Sequence, residues 1–172
     1  MDKYYYIISQ LPTLFFGKES TISINYFLEE AQKWMTPRDY EVLSQVDMNE
    51  FSIDKKIHPV FFQFKLFESQ IRTDIALWRK AQKQDQEYKP SSIPVSTLKE
   101  GTPLNVEIRL MELRWNFLEE IEREHHFDLG YLILYYLKLQ ILRRYFTFNK
   151  EQGLEKFQKL YEVNVWSQRL EQ

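Results

Sequence analysis

Hydrophobic residues are densest between Asp128 and Phe146 (DLGYLILYYLKLQILRRYF), where they occupy every face of a helix instead of one stripe. Leu129, Leu132, Ile133, Tyr136, Leu139 and Tyr145 cover one arc, and Leu134, Leu137, Ile141 and Leu142 cover much of the rest. A helix apolar all round belongs in a membrane or among other helices. Lys138 interrupts the run and Arg143 and Arg144 close it, so the unbroken part, Leu129 to Leu137, is far short of the ~20 residues a bilayer needs. The pattern predicts a central helix over Leu129–Phe146, enclosed by protein, with Leu132, Tyr136, Leu139 and Leu142 inaccessible.

Two long amphipathic stretches supply the enclosure. His58-Pro59 opens a helix to about Lys83, with Phe61, Phe64, Phe67, Ile71, Ile75 and Trp78 in one stripe and Phe62 and Leu66 widening it. Thr102-Pro103 opens another, Leu104 to about Glu124, with Val106, Leu110, Leu113, Phe117 and Ile121 in one stripe. Ile108, Met111, Trp115 and Leu118 form its second stripe, and His125-His126-Phe127 makes a tight turn before Asp128 caps the central helix. Between the two, from Gln82 to Pro103, the helical pattern fails. Three prolines interrupt that stretch, and an excursion at about 84–103 is expected to drape over the surface or stay mobile.

Shorter elements are predicted at both ends. Ser20, Thr21 or Ser23 caps a helix through Trp34, with Ile24, Phe27, Leu28, Ala31 and Trp34 or Met35 inward. Thr36-Pro37 restarts a helix with Tyr40, Leu43 and Val46 or Phe51 inward, and Asp47 to Lys56 reads as a loop. Asn149 caps a last helix in which Leu154, Phe157, Tyr161, Val165 and Leu170 or Trp166 repeat. At the start, Tyr4 to Ser9 fits a strand or a short helix equally well, and Leu14-Phe15-Phe16 forms a second apolar cluster beyond Pro12. The whole is an all-α bundle: two long helices on a central buried helix, in a single domain over 1–172.

Composition narrows the function. Hydrophobic content of 44% and aromatic content of 16% supply ample core, and 23 Lys+Arg against 25 Asp+Glu leave a formal net charge of -2. That balance argues against nucleic acid as a partner, because such binders carry a basic excess or stripe. The absence of cysteine removes disulfides and thiolate chemistry and fits the cytoplasm. MDKYYYIIS has neither a long apolar core nor a small-residue cleavage site, so a secretory signal is not expected.

Candidate chemistry is sparse. Glu122-Arg-Glu-His125 has the Glu-x-x-His spacing of carboxylate-bridged metal centres, but no second copy accompanies it. A charged helix end with histidines near its C-terminus is the stronger reading, and no metal is assigned. No glycine-rich nucleotide loop and no nucleophile elbow is present, so no catalytic residue and no cofactor is expected. Lys138 reads as a lysine whose methylenes pack while its ammonium reaches solvent or a carboxylate. A protein interface remains: Tyr4, Tyr5, Tyr6, Phe15 and Phe16 crowd into one short segment, so some rings should stay accessible. Arg143 and Arg144 suit a helix C-terminus or an anionic partner.

Two stretches carry a resemblance. YYYIISQLPTLFFG, Tyr4 to Gly17, resembles the start of a small uncharacterised bacterial family encoded among the subunits of V/A-type rotary ATP synthases. Gly130-Tyr131-Leu132 followed by Leu142-Arg143 is similar to a helix of the C subunit of those ATPases, with Tyr135, Tyr136 and Lys138 departing from its pattern. The resemblance implies a non-enzymatic component or assembly factor, partnered by V/A-type ATPase subunits. It would be cytoplasmic or peripheral at the inner membrane, and the second likeness implies a role like that of the C subunit. The alternatives are a carboxylate-bridged metal enzyme built on Glu122 and His125, and an unrelated helical adaptor.

Overall fold

A computed structural model describes residues 3–50 and 57–148, so Phe51 and the helix expected after Asn149 lie outside the described residues. Seven helices run in order: α1 Tyr5–Gln10, α2 Ile24–Trp34, α3 Pro37–Ser44, α4 Pro59–Lys83, α5 Val95–Lys99, α6 Pro103–Glu122 and α7 Leu129–Thr147. No strand occurs among the described residues, and the fold is an all-α bundle. The helix starts were legible because their caps are local. Ser23, Thr36, Thr102 and Asp128 each accept the backbone N–H three residues on, which satisfies a donor the first turn leaves orphaned. Proline sits in the first turn of α3, α4 and α6, where its missing N–H is harmless.

Helix α7 is the centre. Every residue from Leu132 to Leu139 is buried, as are Ile141 and Leu142, and α2, α3, α4 and α6 all pack against it. Leu132, Tyr136, Leu139 and Leu142 are all enclosed, as the pattern predicts. Phe27, Leu43, Phe64, Met111, Trp115 and Leu118 complete the main core from four neighbouring helices. Gln140 ties in the segment after α3: its Nε2 donates to Val46 O at 2.9 Å, and its Oε1 accepts Met48 N–H at 2.9 Å. No helix among the described residues is long and apolar enough to cross a membrane.

The α6–α7 turn is tight because Gly130 permits it. A Cβ at Gly130 would meet the His125 ring at 2.5 Å, so the ring lies directly on the first turn of α7. Phe127 takes the left-handed conformation (φ 52) that the reversal requires.

A second, smaller core holds the far halves of α4 and α6 together around Ile71, Ile93 and Leu110. Phe67 and Phe117 stack beside it with ring centroids 3.9 Å apart. Ile93 comes from the 84–103 excursion, which is draped and anchored, and which contains the short helix α5 that its pattern did not announce. The anchor is the buried Asp74 carboxylate on α4, which accepts the Ser91 N–H at 2.9 Å, the Ser92 N–H at 2.6 Å and the Tyr88 hydroxyl at 2.8 Å. Arg109 Nη1 donates to Glu100 O at 3.0 Å and to Ser96 O at 3.3 Å, closing the end of α5 onto α6. Burial alone would raise the Asp74 carboxyl, but the bonds from Ser92, Tyr88 and Ser91 outweigh it and hold the group below its ordinary range.

Two outcomes are expected. Leu139→Ala should lower unfolding stability by about 2–5 kcal/mol in chemical denaturation, because the methylenes removed leave a cavity with no room to collapse. Asp74→Ala strands four donors, the Ser91 hydroxyl among them, and should cost about 1–3 kcal/mol, with faster proteolysis confined to 84–94. A depressed carboxyl stabilises above the unfolded value of ~3.9 and loses that contribution as pH falls through its folded value. The wild-type connection should therefore become protease-sensitive only in acid, below the ordinary carboxyl value of ~3.9.

Candidate functional site

The N-terminal segment, residues 3–17, is a strap laid along α7 and fastened at several points. The Tyr4 N–H donates to Phe127 O at 2.9 Å, at the start of α7. The Tyr4 hydroxyl and Lys3 Nζ both donate to the Asp39 carboxylate in the first turn of α3, the latter at 2.6 Å. Those two donors hold the Asp39 carboxyl below its ordinary range. Midway, the Tyr135 hydroxyl donates to Pro12 O at 2.8 Å, and burial pushes its phenol well up. At the far end Phe16 packs between Trp115 and Tyr145, with centroids at 5.8 and 5.4 Å. The undecided Tyr4–Ser9 run is thus a helix, because Ile7 and Ile8 turn one face into the core.

This fastening sorts the five predicted interface rings. Tyr4 belongs to the core at 4% exposure, which removes it from any outer surface, and Phe16 is half-buried. Tyr5, Tyr6 and Phe15 remain outside at 58%, 53% and 55%. Tyr5 lies 4.7 Å from the Phe127 ring. From α2, Tyr26 and Trp34 are also 51% and 50% exposed, and the Trp34 ring lies tilted by 53° with its centroid 4.3 Å from that of Tyr6. The sequence pattern left the inward place to Trp34 or Met35. Met35 takes it, and Trp34 faces out. The 26-30-34 spacing carries the signal, since residues four apart share one helix face. Between α1 and α2 lies a groove of about 460 Å³ lined by Ile7, Leu11, Pro12, Ile22 and Tyr26 together with the polar Gln10, Thr21, Ser23 and Glu30.

Residues 94–164 match the family described as Protein of unknown function (DUF2764). The matched stretch covers α5, α6 and α7, so the aromatic strap lies outside it. No curated protein and no solved structure matches the chain.

The residues considered for chemistry meet in a separate cleft of about 380 Å³, where Phe15 and Leu14 of the strap face Glu122, His125 and Lys138. Its polar groups hold one another. Lys138 Nζ donates to Glu122 Oε2 at 2.5 Å and stands 5.2 Å over the Trp115 ring, whose Nε1 donates to Glu119 Oε1 at 2.8 Å. His125 Nδ1 pairs with Asp128 Oδ2 at 2.7 Å, so Glu122 and His125 serve different partners despite their spacing. Burial and the Glu122 charge both raise the Tyr131 phenol in the same wall. Among the described residues no cluster of His, Asp and Glu is placed to hold a metal ion. The arrangement ties α6 to α7 beneath Leu14 and Phe15 of the strap.

Arg143 and Arg144 stand elsewhere, at the C-terminal end of α7. Arg144 Nη2 pairs with Glu107 Oε1 of α6 at 2.7 Å, while exposed Arg143 separates two open clefts of about 550 and 770 Å³ beside α2 and α3. The structure therefore does not bring the two arginines together with Tyr5 and Tyr6 on one face.

The Lys138–Glu122 pair is asymmetric, with side-chain exposures of 6% and 24%. Glu122→Ala leaves a buried ammonium without its carboxylate and should cost about 3–5 kcal/mol. Lys138→Met leaves a carboxylate that water can reach and should cost under about 1 kcal/mol. Paired denaturation curves check the order, and equal losses would show that the lysine reaches solvent.

Proposed function

We propose that this protein is a non-enzymatic component or assembly factor of a bacterial V/A-type rotary ATPase, docking as a helical adaptor through the aromatic face of α1 and α2. The observation that carries the docking surface is the exposure of Tyr5, Tyr6, Tyr26 and Trp34, each at least half exposed, with Tyr6 and Trp34 in ring contact, on a strap and helix that are themselves fastened to the core. Tyrosine and tryptophan bury large area with few rotors to freeze, which is why such rings dominate interface hot spots. Fastening the backbone beforehand lowers the entropy lost on docking.

The ATPase as partner is supported by the resemblance of Tyr4–Gly17 and of the α7 segment Gly130–Arg143, the second also supporting a place like that of the C subunit. On this reading the protein is cytoplasmic and peripheral at the inner membrane. The surface charge is mixed and near balance, with net -2 over the chain, which favours a protein partner over nucleic acid.

Affinity capture from native membranes, with captured chains identified by mass spectrometry, tests the assignment. V/A-type ATPase subunits should be recovered with the wild type. Tyr6→Ala combined with Trp34→Ala should reduce recovery at least about ten-fold, the worth of one modest hot spot. Melting temperature should hardly move, since both rings face out. Capture of other proteins alone would favour an independent adaptor, and stoichiometric iron or manganese in the purified protein would favour the metal-enzyme alternative.

A further inference from the structure

One turn joins the strap to the rest of the molecule. Lys18 N–H donates to Phe15 O at 3.2 Å, and Gly17 sits inside that turn with φ 73. Space does not require glycine there, because an added Cβ would come no closer than 3.8 Å to its nearest neighbour, the Tyr145 hydroxyl. The left-handed backbone does require it, since an L side chain strains that conformation. The turn reverses the chain after Phe16 and leads it to Ser23, the cap of α2.

The other anchors of the strap are noncovalent. Tyr4 N–H meets Phe127 O at 2.9 Å, Lys3 and the Tyr4 hydroxyl meet Asp39, and Pro12 O meets the Tyr135 hydroxyl at 2.8 Å. Phe16 packs between Trp115 and Tyr145. The receiving groups (Asp39, Trp115, Phe127, Tyr135 and Tyr145) all lie on the far side of the turn, in α3, α6, α7 and the α6–α7 connection. We propose that the surface under the strap is a docking site for the strap of a second copy of this chain, and that the Gly17 turn keeps each strap on its own body. Opening the turn gives a dimer in which two copies exchange residues 3–16.

The occupant follows from the site, because each socket already holds its matching strap residue. A second copy satisfies all of them without a new contact. Since the exchanged dimer repeats the contacts of the monomer, those contacts cancel in the comparison. What remains is the entropy of association, which favours the monomer, against strain in the closed turn, which favours the dimer. Glycine at φ 73 removes that strain, so the monomer is the resting form. The aromatic face survives exchange, with Tyr6 of one copy against Trp34 of the other. The exchange is independent of which partner that face binds.

Gly17→Val on the full chain tests it, read by size-exclusion chromatography with light scattering. A β-branched residue strains the closed turn in each of two chains, so self-association should tighten roughly ten- to a hundred-fold over wild type. Cross-linking then reads where the strap lies, and the absence of native cysteine gives it a clean background. Phe15 and Arg123 line one cleft, are both exposed, and are not among the anchors. Gly17→Val chains with Phe15→Cys, refolded together with Gly17→Val chains with Arg123→Cys, should give a mixed covalent dimer with a flexible bismaleimide. A Gly17→Val chain that stays monomeric, or a dimer that yields no mixed product, would overturn the proposal. Should Gly17→Val fail to fold, the two single-cysteine chains with Gly17 intact decide after refolding together at high concentration. A mixed cross-linked dimer sustains exchange, and its absence overturns it.

Discussion

The structure depends on enclosing one helix on all sides. Helix α7 carries leucine, isoleucine and tyrosine around its whole circumference, and each buried aliphatic side chain contributes about 1.5–3 kcal/mol only when water is excluded from it. Two neighbours cannot cover a full circumference. α6 and α4 take two sides, α2 and α3 another, and the strap passes along the gap that remains. The same enclosure explains the pair at Lys138. An ammonium on an otherwise apolar helix must meet a carboxylate, and α6 supplies Glu122 with Trp115 beneath it.

The strap links packing to function. Its inward residues, Tyr4, Ile7, Ile8 and Leu14, complete the core, which makes its position a matter of stability and not of chance. Once the backbone is held at Phe127, Pro12 and Phe16, the alternation of inward and outward positions forces Tyr5, Tyr6 and Phe15 to the surface. Presented this way, aromatic rings can bind without first ordering a chain. The adaptor reading rests on that geometry, and in the cleft behind Phe15 the polar groups pair with one another across α6 and α7.

Away from α7, the far halves of α4 and α6 form a pair whose own apolar stripes are too wide for each other. Ile93 and α5 close the space, held by a buried carboxylate that gathers four donors from the connection and by Arg109 at the end of α5. A chain stretch with three prolines and no periodic stripe is thereby given a defined path. Hydrogen bonding to Asp74 substitutes for the hydrophobic face that the stretch lacks.

The sequence by itself determined α2, α3, α4, α6 and α7 and which of them is central, but neither α1 nor α5. Period and caps are local properties: α4 runs Pro59–Lys83 as its stripe predicts, and Asp128, Thr102 and Thr36 mark starts within a residue. All-round apolarity sufficed to place α7 inside. Only the tertiary structure decided what depends on distant partners. Tyr4 and Tyr5 are neighbours of one chemistry, yet Asp39 and Phe127 draw one in while the other stays out. Between Trp34 and Met35, which the pattern could not separate, the end of α2 decides: Trp34 stays exposed and Met35, the C-cap, is buried. Glu122 and His125 have the spacing of a metal pair, but spacing along a helix says nothing of Lys138 and Asp128, which take them apart. Contacts between residues far apart in the chain leave no period to read.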